Sequence, residues 1–309
     1  MTSPALARPG AVAADPPDAG VAAHYGDPYR EQRLIVAGEA SVDISHRDVV
    51  RVAGPDRLTW LHSLTSQHLE HLAPGEPTEA LLLSPHGHVE HALALVDDGT
   101  ATWAHVEPGA AAELVRFLDS MRFWSQVEVE DLTPSHAVVL RPEAFPGVVT
   151  RRVPEGVESF VRREELADAL AGDLAGVWAL EALRVAAGRP RFGLETDHRT
   201  IPHEVGWIPS AVHLDKGCYR GQETVARVQN LGRPPRRLVL LHLDGSDSEL
   251  PAHGDPVLMA DREVGRVTTS ARHFELGPIA LAVVKRSTPV DADLVAGAVA
   301  ASQEILVPA

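Results

Sequence analysis

Cysteine is nearly absent: the 309 residues hold one, Cys218. That excludes an internal disulfide. It also excludes a zinc or iron–sulfur site built from several of the chain's own thiolates, since at most one sulfur ligand is on offer. Long apolar runs are missing too, and no stretch approaches the ~20 residues needed to span a bilayer. Basic charge is scarce: 28 Lys and Arg against 43 Asp and Glu leave a formal charge of −15, which works against an extended nucleic-acid footprint. Gly217-x-x-x-Gly221 lacks both the Gly-Lys-Ser/Thr ending of a P-loop and the three-glycine dinucleotide fingerprint. No Gly-x-Ser-x-Gly elbow is present, so ATP, NAD and Ser-His-Asp chemistry have no support. Residues 1–20 are rich in alanine and proline, without a basic start leading into an apolar run. They read as a disordered tail rather than a signal peptide, and the cytoplasm is the expected location.

What is present is an ordinary globular composition, 44% hydrophobic, long enough for two or three modest domains. Val49 to Val52 reads as a strand. Leu58, Leu61, Leu64, Leu69 and Leu72 follow at the spacing of an amphipathic helix. Strands over 80–83, 89–96 and 100–106 are separated by Ser84-Pro85-His86-Gly87 and Asp97-Asp98-Gly99, which are hairpin turns by composition. Pro108 opens a helix burying Ala111, Leu114, Val115 and Leu118, and strands near 127–129 and 137–140 follow. Val177 to Ala187 is a second helix, closed by Gly188 and Pro190. After Pro234-Pro235 short strands (238–243, 257–259, 264–268 and 279–284) alternate with tight turns, the pattern of a small β-barrel. The whole reads as α+β rather than a doubly wound parallel sheet.

The most unusual stretch is Lys216-Gly217-Cys218-Tyr219-Arg220-Gly221-Gln222-Glu223. A lone cysteine is either a small core residue or a thiolate favoured by neighbouring cations, here Lys216 and Arg220. Gly217 and Gly221 allow the backbone to turn closely around the thiol. Glu223 and Arg227 are spaced to pair across one helical turn, as a support for the segment or as an ordinary surface ion pair. Arg227, Arg233, Arg236 and Arg237 form a local basic cluster. His86-x-His88-x-x-His91 invites a metal reading, but in a strand His91 faces away from the other two; solvated histidines around a hairpin explain it better. His62, His68 and His71 lie beside an apolar stripe. No stable metal site is expected.

The octapeptide resembles the signature of the YgfZ-type folate-binding proteins, relatives of the glycine-cleavage T protein (GcvT) implicated in iron–sulfur cluster assembly or repair. Weaker landmarks extend the likeness over about 35–285: Val52-x-Gly54-x-Asp56, Leu61-x-x-Leu64-Thr65, the Gly87 hairpin, Leu183-Arg184 with Gly188, Pro202-x-Glu204, Ala226-Arg227, Gly232, Arg237 and Gly265-x-Val267-Thr268. The resemblance implies a three-domain ring: two intertwined ferredoxin-like α/β domains, 21–49 plus 133–233 and an inserted 50–132, with a C-terminal β-barrel at 234–309. It implies a tetrahydrofolate-type ligand, with Cys218, Lys216 and Glu90 as catalytic candidates. Arg184, Arg227, Tyr219 and Gln222 become candidates for holding the folate, the two arginines at its glutamate tail, while Gly217, Gly221 and Glu223 shape the motif. The implied partners are iron–sulfur clients or assembly proteins, with no nucleic acid or membrane, and the implied state is a monomer.

Two departures bear on chemistry. T proteins resemble one another in a paired aspartate after the Gly-rich hairpin, where this chain reads Gly87-His88-Val89-Glu90-His91. They also carry a pterin-contacting glutamate where this chain has Ala186, which removes a charge-assisted hydrogen bond. Classical glycine-cleavage aminomethyltransferase activity is therefore not expected. The leading expectation is a folate-binding accessory protein for iron–sulfur enzymes that presents Cys218. The alternative is a tetrahydrofolate-dependent aminomethyl or methyl transferase in which Glu90 supplies the carboxylate near the reacting nitrogen.

Overall fold

Residues 2–246 and 249–307 are described by the computed structural model. Contacts divide the chain into two units: Met1–Leu82, His91–Leu180 and Asp215–Tyr219 form one, and Leu83–Glu90, Glu181–Leu214 and Arg220–Ala309 the other.

The first unit begins with an ordered segment, not the expected disordered tail. Ser3 caps a 3₁₀ turn at Pro4–Ala7 through its hydroxyl. Ala5 is buried in one cluster with Ala137, Val139, Val161 and Leu166. Strand β1 (Val12–Ala13) then pairs with β2 (Ala22–His24). Alanine is small enough to fill a gap in a core contributed by distant strands, which composition alone does not reveal.

Helix α1 (Pro28–Ala37) starts on Asp27, whose side chain accepts the Arg30 N–H, and stops at Gly38 in the left-handed region. There follow β3 (Ser41–Asp43), β4 (Asp48–Ala53), α2 (Arg57–Leu64), β5 (Pro77–Leu83), β6 (Val89–Asp97), β7 (Ala101–Val106), α3 (Ala111–Ser120) and β8 (Glu128–Asp131). Then come β9 (His136–Arg141), β10 (Val149–Val153), β11 (Gly156–Arg162), α4 (Leu166–Ala169), β12 (Leu174–Ala175) and α5 (Val177–Ala186). Two five-stranded sheets result, ordered β10-β11-β9-β3-β12 and β5-β6-β7-β4-β8. Leu93 and Leu95 alternate with less buried residues along β6, so one face of the second sheet meets Leu61, Leu114 and Leu118 in a shared core.

Two boundaries differ from the sequence reading. Helix α2 stops at Leu64 because the hydroxyl and N–H of Thr65 both bond back to the Leu61 carbonyl while Thr65 turns extended. Leu69 and Leu72 are buried from the loop instead. Helix α3 starts at Ala111, whose N–H is taken by Asp48 on β4, so a distant carboxylate sets the start that Pro108 seemed to mark.

In the second unit, short helices α6 (Pro202–Val205) and α7 (Ile208–Ala211) and the longer α8 (Gln222–Leu231) precede β13 (Arg236–Leu243), β14 (Pro256–Met259), β15 (Arg262–His273), β16 (Gly277–Lys285), β17 (Leu294–Ala296) and β18 (Val299–Ile305). The six strands close in the order β13-β16-β15-β14-β17-β18, which leaves no unpaired edge. Val239, Leu241, Val257, Val267, Ala280, Ala282 and Leu294 fill the barrel. Strand β15 runs well past the expected 264–268. A register shift between Val267 and Thr269 kinks it there and turns both the Thr268 and Thr269 hydroxyls onto Glu195. Two α/β sheets and a C-terminal barrel give the three-domain α+β architecture that the resemblance implied. Among the described residues no helix is long and apolar enough to cross a membrane.

Candidate functional site

The octapeptide is split between the two units. In the first, Lys216 is 5% exposed. Its ammonium donates to the carbonyls of His62, Thr65 and Gln67 at and just beyond the C-terminal end of α2 and sits 5.0 Å from the centre of the Tyr219 ring. A helix C-terminus exposes carbonyl oxygens and negative potential, so a lysine is well placed there. Burial pushes its amine down to about 8, against an opposing effect of Glu70. Burial likewise pushes the Tyr219 phenol up to about 12. Lys216 thus anchors the motif. The expectation that it is a catalytic cation beside the thiol is corrected, because its three donors are directed at backbone carbonyls. Tyr219, read as a folate contact, is 8% exposed and packs under that ammonium. Cys218 is exposed, which removes the core-filler reading.

In the second unit, Arg220 pairs with Glu90 at 2.8 Å, with both side chains about one third exposed (34% and 39%). This pairing also directs the second flanking cation to a carboxylate. Gly221 holds φ +83°, and a Cβ there would lie 2.6 Å from the Ser84 carbonyl and 2.9 Å from Gly87 Cα. Gly87, at φ +78°, would bring a Cβ within 2.7 Å of Thr224. The tip of the β5–β6 hairpin and the first turn of α8 therefore touch backbone to backbone, which only glycine permits. Gly217 has open space around it, so the close turn rests on Gly221 alone. Gln222 is half-buried at the first position of α8, with Glu223 and Arg227 exposed beyond it. Glu223 and Arg227 form no ion pair, contrary to their spacing; both side chains project into solvent, where such a pair gains little.

Arg184 was read as a folate ligand, and the structure corrects this. Its guanidinium is buried and bonds Glu181 and Glu195 at 2.9 Å each, the Arg189 carbonyl at 2.6 Å and the Thr269 hydroxyl at 3.0 Å. Glu195 is fully buried and also accepts the Arg191 N–H. The basic cluster dissolves similarly. Arg236 is held by Asp197 and Glu204, and the 1%-exposed Arg237 donates to the Arg286 and Thr288 carbonyls. Pairing with Arg236 drives the Asp197 carboxyl well below the usual carboxylate range despite some burial. Sequence reasoning missed Glu181, Glu195 and Asp197; the only hint was Glu204 in the Pro202-x-Glu204 landmark. What remains is an ion-pair-braced unit whose accessible motif-linked charges include Glu90, Glu223 and Arg227.

Among the described residues, His62, His68 and Glu70 bring one ligand atom each within 4.8 Å of one another. Nδ1 of His62 accepts the Leu69 N–H at 3.2 Å, which leaves the proton on Nε2, and the Lys216 ammonium rests on the His62 carbonyl. A ligating imidazole donates from its second nitrogen rather than accepting there, so the trio does not form a metal centre as it stands. His86 is exposed and His88 half-buried, whereas His91, expected to be solvated, is 7% exposed.

Residues 236–307 match the family described as the glycine cleavage T-protein C-terminal barrel domain. The chain is 25% identical over 293 residues to a putative chloroplastic transferase of Arabidopsis thaliana, covering 78% of this chain and 65% of that one; it spans just under two thirds of that relative. It is 27% identical over 310 residues to an aminomethyltransferase of Nostoc sp., covering 82% and 79%. The crystal structure of glycine cleavage system aminomethyltransferase T from Bartonella henselae superposes with a TM-score of 0.81 at 18% identity, over 96% and 93% of the two chains, which shows a shared fold. These findings overturn the expectation that classical aminomethyltransferase activity is absent: curated relatives matched over most of the chain are aminomethyltransferases.

Proposed function

We propose that this member of the T-protein-like superfamily is a tetrahydrofolate-dependent one-carbon transferase, moving an aminomethyl or methyl unit from an amine-type donor to the folate. The observation that carries the reading is Glu90, a partly exposed carboxylate fixed on the hairpin by Arg220 at 2.8 Å, in a chain related over most of its length to aminomethyltransferases. In the transfer, a folate nitrogen forms a bond to the donor's carbon while the donor's bond to that carbon breaks. A carboxylate beside the reacting nitrogen accepts or returns the proton and stabilises positive charge there. Arg227, exposed on α8 and without an ion pair among the described residues, is the cation proposed for the folate's glutamate tail. Steady-state transfer to tetrahydrofolate, from an aminomethyl donor and from methylated amines, tests the reading. Turnover should fall by about 10²-fold or more in Glu90→Gln. No turnover with any donor overturns it.

Exposed Cys218 favours a second reading, in which the folate-loaded protein supports the assembly or repair of iron–sulfur enzymes through its one thiol. Cells lacking the protein should then lose iron–sulfur enzyme activity, with wild type restoring it and Cys218→Ala not. Equal rescue by the alanine variant removes the thiol from that role.

A further inference from the structure

We infer that Arg220 is a positioning residue for the reaction, aiming the Glu90 carboxylate; this rests on the transferase reading of Glu90. Arg220 Nη1 holds Oε2 of Glu90 at 2.8 Å. Oε1 has no hydrogen bond among the described residues, so one oxygen is tethered and the other presented. The pair is too exposed for such a link to matter much to stability, yet the backbone around it is tightly determined. Gly221, next to Arg220, admits no Cβ because the Ser84 carbonyl would lie 2.6 Å away, and Gly87, three residues before Glu90, admits none because of Thr224 at 2.7 Å. The Val89 N–H, adjacent to Glu90, donates to the Thr200 carbonyl at 2.9 Å, and the Ser84 N–H closes the hairpin on the His88 carbonyl at 2.8 Å.

The main-chain positions from which the two charged side chains reach each other are thus fixed. Backbone contact at two glycines is a costly way to secure a surface ion pair and a reasonable way to orient a reacting group, since small misplacements of such groups cost much of the rate. A guanidinium holding one carboxylate oxygen restricts rotation about the terminal torsion and leaves the free oxygen facing a single direction. Lysine would supply the charge without the planar fork.

A double-mutant cycle tests this: wild type, Glu90→Gln, Arg220→Gln and the double variant, with Arg220→Lys alongside, all in the folate transfer assay. Arg220→Gln should lower kcat about tenfold to a hundredfold with the KM for tetrahydrofolate unchanged. Arg220→Lys should recover only part of the loss, and the double variant should be no slower than Glu90→Gln. Matching thermal melts across the five proteins separate this from unfolding. Fully additive losses, or an Arg220→Gln variant as fast as wild type, overturn the positioning role while leaving the transferase reading standing. An inactive wild type overturns both.

Discussion

Lys216 shows how a residue's chemistry is decided by where its side chain ends. In the sequence it stands two residues from the only thiol and looks like that thiol's activator. In the fold its ammonium crosses to the end of α2 and binds the carbonyls of His62, Thr65 and Gln67. Burial lowers its amine from 10.5 to about 8, and the sign of the linkage follows. Between those two values the unfolded chain binds more protons than the folded one, so stability rises with pH across the interval. Below pH 8 both states are protonated and the cost of burying the charge is felt in full. The denaturant midpoint of the wild type should therefore increase from pH 8 to pH 9.5. In Lys216→Met that increase should vanish, and stability near pH 7 should drop by about 1–3 kcal/mol because three carbonyls lose their donor. An equal rise with pH in both proteins would show that another group is responsible.

At the scale of elements, regular periodicity was legible and long-range capping was not. The hairpins around Gly87 and Gly99 and the barrel strands 238–243 and 279–284 follow from alternation and turn composition, and the structure carries them as β5–β7, β13 and β16. Helix α2 was overextended because Leu69 and Leu72 keep the right spacing while Thr65 has already ended the helix. Helix α3 was started early because its cap, Asp48, lies 63 residues away in sequence. The ordered segment at Pro4–Ala7 was unreadable because its burial depends on β9 and β11. The candidate site divides the same way. Cys218, Glu90 and Gly221 stood out by type and motif. The internal use of Arg184 depended on Glu181 and Glu195, which carry no local signal, and the exposed Glu223 and Arg227 showed that helical spacing permits an ion pair without producing one.

At the scale of the whole molecule, an acidic chain with a formal charge of −15 pairs several of its buried carboxylates with arginine, Glu158, Glu195 and Glu204 among them, and this shapes its response to acid. Glu158 on β11 is the clearest case. It is 8% exposed, bonds Arg151 on β10 at 2.8 Å and reaches across to His105 on β7 at 3.1 Å, so it links the two sheets of the first unit. Burial works to raise its carboxyl, but His105 and Arg151 outweigh that and hold it at about 2 against an ordinary 4.5. A carboxyl lowered by folding stabilises the protein fully above its unfolded value, and that contribution is lost as pH falls from 4.5 towards 2. Asp197, lowered by Arg236 in the second unit, acts in the same direction. Acid unfolding should therefore begin below about pH 4.5 and deepen steeply, with the first unit governed by Glu158. Glu158→Gln should be less stable at neutral pH by about 3–5 kcal/mol, because the buried Arg151 guanidinium loses its close counter-charge and keeps only the half-exposed Glu79 at 4.0 Å. Its remaining stability should vary less between pH 4.5 and 2.5 than that of the wild type. Chemical denaturation followed by circular dichroism at closely spaced pH values reads both quantities. A variant with full neutral stability, or with the wild-type slope in acid, would show that the link between the sheets contributes through packing and not through charge.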